Sequence, residues 1–279
     1  MTPMRTFEAS ASGSKRIIEQ LDAYFRAEVV GCDHLASCRL SAARKGLCFN
    51  AAQLPHVGAA YDLSGNGRSW RIAVCGQEVG RAQTGPRSIA ERSPITSAKG
   101  RVTPFAARNP HMQGTTNALR LLYGRPLSLD SRDDLILVNG EYRHIYDTFA
   151  LINALSCSAT PGETGKNGRS TSEMKRNCVR HLRATVQILR PTILVVQGNT
   201  AAEMLRAAFP DIEVLGETGV RIPSLNTIAA TLPHPSARRD TRRGARADLA
   251  WAALNSPYLH AVVAPLLSGL YRLHQEAGR

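Results

Sequence analysis

The sequence predicts an α/β protein: a three-layer α/β/α domain on a central, mostly parallel sheet of four strands. Two patterns carry that reading. Strand candidates alternate with helical stretches along the chain. The candidates are continuous apolar runs instead of alternating ones, as strands buried on both faces require. The length of 279 residues suits one large domain, and no internal repeat divides it. Residues 1–279 are therefore expected to form a single domain, with a disordered start over 1–13 and a helical extension over 246–279.

Residues 14–27 read as an amphipathic helix, with Ile17, Ile18, Leu21, Tyr24 and Phe25 on one side. A cysteine-bearing loop is expected over 31–50, and the polar, glycine-rich 62–69 (DLSGNGRS) is a turn. The run WRIAVC at 70–75 is the first buried strand. The polar stretch 81–109 has few apolar residues and reads as a functional loop, ordered or mobile. Residues 115–123 form a helix closed by Gly124, and TFALINAL at 148–155 is the second strand, followed by a loop over 158–170. Ser172 is a plausible N-cap for a helix reaching Leu189, whose apolar stripe is Val179, Leu182, Val186 and Leu189; Pro191 stops it. TILVVQ at 192–197 is a third strand. Gly198 turns the chain into a helix over 201–209, and 228–232 is the last strand. The tail from 246 to about 276 is helical with an interruption near Pro257.

The formal charge is +13 and is carried almost wholly by arginine. Such a surface favours a polyanionic partner, because each phosphate neutralised releases a counterion, and arginine forks onto phosphate oxygens. No apolar run is long enough to cross a bilayer, and the first residues hold no apolar signal core. A cytoplasmic protein with no membrane partner is expected. In that compartment Cys32, Cys38, Cys48, Cys75, Cys157 and Cys178 serve as metal ligands or as small buried hydrophobes, not as disulfides.

In open parallel sheets, ligands bind at the carboxyl ends of the strands. That rule selects the loops after Cys75, Leu151, Val196 and Leu232. They carry Gly76-Gln77-Glu78-Val79-Gly80, then Asn153 and Cys157, and finally His234-Pro235-Ser236-Ala237-Arg238-Arg239.

The order strand–GQEVG, strand–N-x-x-x-C, E-x-x-x-x-C at a helix start, strand–QGNTA and strand–HPS resembles uracil-DNA glycosylases, especially their iron–sulfur branch. The resemblance covers roughly residues 32 to 252 and implies a base-excision enzyme that flips uracil out of DNA and hydrolyses its N-glycosidic bond. By this resemblance His234 stabilises the charge that develops on the base, and Asn153 reads the uracil edge beside Gly76. His111, in NPHMQGT, takes the place of the ring that stacks on the base; Phe105 is its rival. The water falls to Glu78 when the loop is set against GQDPYH, or to Gln77 against GEAPG, where the usual Ala-Pro is missing. Glu78 could act as a general base or stabilise an oxocarbenium ion, whereas Gln77 could only orient the water. Ser236, Arg238 and Arg239 would grip DNA.

The resemblance further implies a 4Fe-4S cluster on Cys157, Cys178, Cys38 and Cys32, with Cys48 competing for either upstream place. Four thiolates alone suit iron–sulfur or zinc. Cys75 ends a strand and reads as a core residue. The implied partners are uracil-containing DNA, single- or double-stranded, with free uracil as product, for a monomer acting at the bacterial nucleoid. Competing readings are a glycosylase for hypoxanthine or xanthine, a DNA-binding relative without catalysis, and an RNA-binding or nucleotide-handling α/β protein.

Overall fold

The computed structural model describes residues 6–78, 88–162, 168–216, 218–237 and 249–276. The chain opens with strand β1 (Thr6–Ala9) and helix α1 (Ala11–Tyr24), which runs on as a π-helical turn over Phe25–Val29. Helix α2 (Leu35–Ala43) leads to strands β2 (Cys48–Asn50), β3 (His56–Val57), β4 (Leu63–Gly65), β5 (Arg68–Ser69) and β6 (Ile72–Gly76). Helices α3 (Ile89–Val102) and α4 (Pro110–Leu122) precede a hairpin of β7 (Leu135–Val138) and β8 (Glu141–His144), then β9 (Phe149–Asn153) and β10 (Ser158–Thr160). The last third carries α5 (Ser172–Leu189), β11 (Ile193–Gln197), α6 (Asn199–Ala208), β12 (Glu213–Val214), β13 (Gly219–Ile222) and β14 (Thr227–Leu232). A π-helical turn at Leu259–Val263 runs into α7 (Ala264–Glu276).

The main sheet has the order β12-β13-β14-β11-β6-β9-β3. Its middle is the expected parallel block: β14, β11, β6 and β9 pair parallel in that order. The expected count of four strands stops short, because β13 and β12 extend one edge antiparallel and β3 closes the other. Two- and four-residue strands give too little pattern to read from sequence. A five-stranded sheet, β5-β4-β1-β7-β8, stands beside it, and β10 pairs with β2 as a ribbon.

Side chains along the parallel strands alternate between two cores. Ala73, Cys75, Ile152, Leu194 and Val196 face one that includes Leu21 of α1, Ala42 of α2, Leu182 and Val186 of α5 and Leu205 of α6. Ile72, Val74, Phe149, Ile193 and Val195 face the other, with Leu119 and Leu122 of α4, Leu267 of α7 and Phe7, Leu63 and Val138 of the smaller sheet. That is the three-layer arrangement. Among the described residues, no helix is long and apolar enough to cross a membrane.

Several expected boundaries are corrected. Residues 6–13, expected to be disordered, are held because Phe7 is buried and β1 pairs with both β4 and β7. The expected loop over 31–50 contains α2 and β2. The expected loop over 81–109 contains α3, whose buried face is Ile89, Ser93, Ser97 and Gly100. A face of small residues packs closely without an apolar stripe: a Cβ on Gly100 would fall 1.6 Å from the Tyr146 ring. The helix expected from 115 starts at Pro110, with Asn109 accepting from the Met112 N–H as N-cap. For α5 the cap is Thr171, not Ser172, and Thr171 accepts from the Met174 N–H. The β7–β8 hairpin turns on Asn139 and Gly140, both at positive φ (51° and 79°), the Asn-Gly signal of a two-residue turn.

Candidate active site

The parallel register brings the strand ends together. Gly76 lies opposite Asn153, and Gln197 lies opposite Leu232. Pairing continues into the loops: the Ala154 and Leu155 N–H groups donate to the carbonyls of Gly76 and Gln77 at 2.8 and 2.9 Å. A Cβ placed on Gly76 would stand 3.1 Å from His111 Cε1 and 3.4 Å from Asn153 Oδ1, so glycine is what lets these two groups approach. The His111 and His234 rings lie 6.1 Å apart and nearly parallel, at 17°. Gly76, Asn153, His111 and His234 thus meet at one edge of the sheet.

The loop bearing His234 is seated firmly. Trp251 donates from its indole to the Pro233 carbonyl at 2.8 Å, and its backbone N–H donates to the Pro235 carbonyl at 3.0 Å. A Cβ on Gly114 of α4 would strike Pro235 at 2.5 Å, so small residues are needed there as well. The Ser236 N–H points at His234 Nδ1 (3.2 Å), and Ser236 Oγ lies 2.9 Å from the same nitrogen. A backbone N–H can only donate, so Nδ1 is the acceptor and the ring proton sits on Nε2. Desolvation lowers the His234 pKa although the side chain is partly open to solvent, which favours the neutral ring. Burial, with the charge of His234 added, pushes His111 down to about 4 against the opposing effect of Gln197.

His111 occupies the first turn of α4, and a buried ionic network fixes that turn. Arg108 donates to Asp134 at 2.8 Å, to Thr116 at 2.9 Å and to the Gly100 carbonyl at 3.1 Å; Arg120 donates to the other Asp134 oxygen at 2.8 Å. Burial alone would raise the Asp134 pKa, yet hydrogen bonds from His144 and Arg108 and the charge of Arg120 hold it near 2. Phe105, the rival to His111, is buried with its ring 5.3 Å from the Arg120 guanidinium. The structure brings His111, not Phe105, to Gly76.

Gln77 and Glu78 are tied to the segments around Ser170 and Ala159. Gln77 Nε2 donates to Glu78 Oε1 at 2.7 Å and reaches Ser170 Oγ at 3.4 Å. The Glu78 carboxylate also accepts the N–H groups of Ser170 (3.1 Å) and Ala159 (3.3 Å). Arg238 and Arg239 lie outside the described residues, and Ser236 is exposed at the last turn before them.

Four cysteines share one neighbourhood. Cys157 and Cys178 act on each other, which lowers Cys157 and pushes Cys178 up. Cys38 and Cys32 act electrostatically on Cys157, while Cys178 and Cys32 act on Cys38, itself raised by burial. Helix α5 supplies Cys178 and also reaches the upstream sulfurs: Asn177 donates to Cys38 (3.4 Å), Arg180 donates to Cys32 (3.2 Å), and His181 Nε2 lies 3.3 Å from Cys32. Cys48 sits in β2 opposite Thr160. Cys75 is buried in β6, its thiol pushed up to about 12 by burial.

The family model of the uracil DNA glycosylase superfamily matches residues 104–256. The chain belongs to this superfamily. No curated protein matches the chain. Membership suggests DNA glycosylase activity and binding to DNA. The span that matches the superfamily holds His111, Asn153, Cys157, Cys178, His234 and Ser236, whereas Gly76, Gln77, Glu78, Cys32 and Cys38 precede it. Within this superfamily member, sequence reasoning gave Gln197 no role. It is fully buried at the end of β11, donates to Thr115 Oγ1 at 3.3 Å and acts on His111. The signal was a polar residue ending the apolar run TILVVQ.

Proposed function

We propose that the protein excises uracil from DNA, hydrolysing the N-glycosidic bond of a flipped nucleotide and leaving an abasic site. The observation that carries this reading is the gathering of Gly76, Asn153, His111 and His234 at one sheet edge, with the His234 proton on Nε2. Bond cleavage drives electrons onto the base, and a neutral N–H donor aimed at the base oxygen stabilises that charge as it develops. Asn153 offers one donor and one acceptor, the pattern that suits uracil O4 and N3–H and mismatches cytosine. Gly76 leaves room for the base edge. The flat, uncharged His111 ring gives it a face to stack on. Gln77, whose amide nitrogen is engaged by Glu78, keeps its oxygen to orient the attacking water. Ser236, Arg238 and Arg239 hold the phosphates that flank the flipped nucleotide.

The cysteine quartet supports a 4Fe-4S cluster held by Cys32, Cys38, Cys157 and Cys178. The residue types suit it: four thiols lie within electrostatic reach of one another, and Asn177 and Arg180 offer N–H groups to Cys38 and Cys32. When bound, the cluster would act as a structural staple between the segment before β6 and the segments flanking α5.

Incision assays on oligonucleotides containing one uracil, single- and double-stranded, test the activity. Cleavage at uracil after alkali treatment is the expected result. Substrates carrying hypoxanthine or xanthine run alongside, and cleavage of those with uracil left intact would move the assignment to another deaminated base.

A further inference from the structure

We propose that Glu78 is a positioning residue whose carboxylate clamps the loop after β6, and with it Gln77, to the two chain segments that carry Cys157 and Cys178. The proposal deepens the glycosylase reading, since the group it positions is the water-orienting amide.

The contacts come from both sides of the cysteine quartet. Oε1 accepts from Gln77 Nε2 at 2.7 Å and from the Ser170 N–H at 3.1 Å, and Oε2 accepts from the Ala159 N–H at 3.3 Å. Ala159 stands in β10, two residues beyond Cys157. Ser170 directly precedes Thr171, the cap of the helix that carries Cys178. The Thr171 hydroxyl bonds Ser41 Oγ at 2.8 Å, and Ser41 bonds the Cys38 carbonyl at 2.8 Å, so the third cysteine-bearing segment is tied to the same point. The carboxylate lies flat against this backbone because residue 168 is glycine: a Cβ there would fall 2.3 Å from both Glu78 Cγ and Cδ.

A carboxylate has about four acceptor positions, and these donors take three of them. Both of its oxygens are engaged by fixed N–H groups. The same bonds orient Gln77. A carboxylate cannot donate, so the nitrogen end of the amide must face Glu78 and the oxygen end is left for the water. Glu78 therefore acts through Gln77.

Amide hydrogen exchange on the whole protein tests this without substrate. In Glu78→Gln and Glu78→Ala, the Ala159 and Ser170 amides should exchange at least about tenfold faster, while β11 keeps its protection. With uracil DNA, kcat should fall with KM nearly unchanged. Unaltered exchange at Ala159 and Ser170 overturns the clamp. So does an acid-side fall in kcat/KM that Glu78→Gln abolishes with exchange unaltered, because that is the signature of a general base. Glu78→Gln preserves size and decides the matter if Glu78→Ala loosens β11 as well. Should the wild-type protein cleave no DNA, the glycosylase reading fails while the exchange result still decides the clamp.

Discussion

The Ser236 N–H lies 3.2 Å from Nδ1 of His234, and this contact leaves the imidazole with its proton on Nε2. His234→Ala should lower the cleavage rate on the order of 10²–10³, the loss seen when one donor to a developing oxyanion is removed. Binding of uracil DNA should be largely kept. Ser236→Ala should cost far less, because the backbone N–H that selects the tautomer remains. Single-turnover cleavage and equilibrium binding on the same oligonucleotide separate the two effects.

Gly76→Ala should lower kcat/KM about ten- to a hundredfold, because a methyl would crowd His111 at 3.1 Å and Asn153 at 3.4 Å and displace both from the base. Asn153→Asp should instead relax discrimination against cytosine, since a carboxylate lacks the amide donor that matches uracil O4. Competition between uracil- and cytosine-containing substrates reads this directly. An unchanged ratio in Asn153→Asp would remove Asn153 from base reading.

Asp134 is buried between two arginines, at 2.8 Å from each. Asp134→Ala leaves both guanidiniums without their counter-charge and should destabilise the fold by about 3–5 kcal/mol, measured by urea denaturation. Asp134 is held near 2, below the usual carboxylate value of 3.8. Its contribution is therefore present above about pH 4 and is lost as pH falls through 2.

His56 acts in the same direction over a higher pH range. It is fully buried, donates from Nε2 to the Tyr146 carbonyl at 2.9 Å, and burial pushes its pKa down to about 4 from 6.5. The unfolded chain takes up a proton near 6.5, which the folded protein refuses until about 4. Stability should accordingly decline from pH 6.5 towards 4 and level off below. His56→Gln should flatten that part of the urea-midpoint profile.

For the cysteines, Cys157→Ser and Cys178→Ser should abolish bound iron and acid-labile sulfide, while Cys75→Ala and Cys48→Ser should retain both. Purified wild-type protein should contain about four irons per chain. Stoichiometric zinc in a colourless protein would replace iron and leave the thiolate site standing.

The parallel block was legible because WRIAVC, TFALINAL, TILVVQ and the run at 228–232 are predominantly apolar without strict alternation, as strands buried on both faces require. Alternation of those strands with helices then directed attention to Gly76, Asn153 and His234. Helix α3 was not legible, because Ser93, Ser97 and Gly100 bury it by size instead of hydropathy. Strand β1 is short, and its pairing partners lie far along the sequence. The direction of the Glu78 side chain was hidden for a similar reason. Its partners are backbone N–H groups of Ala159 and Ser170, which every sequence has and none displays.

The Asn139-Gly140 turn also sets an order of events in time. A hairpin closed by two residues forms in about 1–10 μs, whereas Ile72 of β6 must find Ile193 of β11 far along the chain before the parallel block can exist. Closing so long a loop loses entropy before any pairing rewards it, so the central sheet is the slow step. The β7–β8 hairpin runs through Ile145–Asp147 straight into β9. A chain that is still searching for its long-range partners therefore already carries a finished hairpin at the threshold of β9, and the arrival of Asn153 at the site waits on the pairing of β9 with β6.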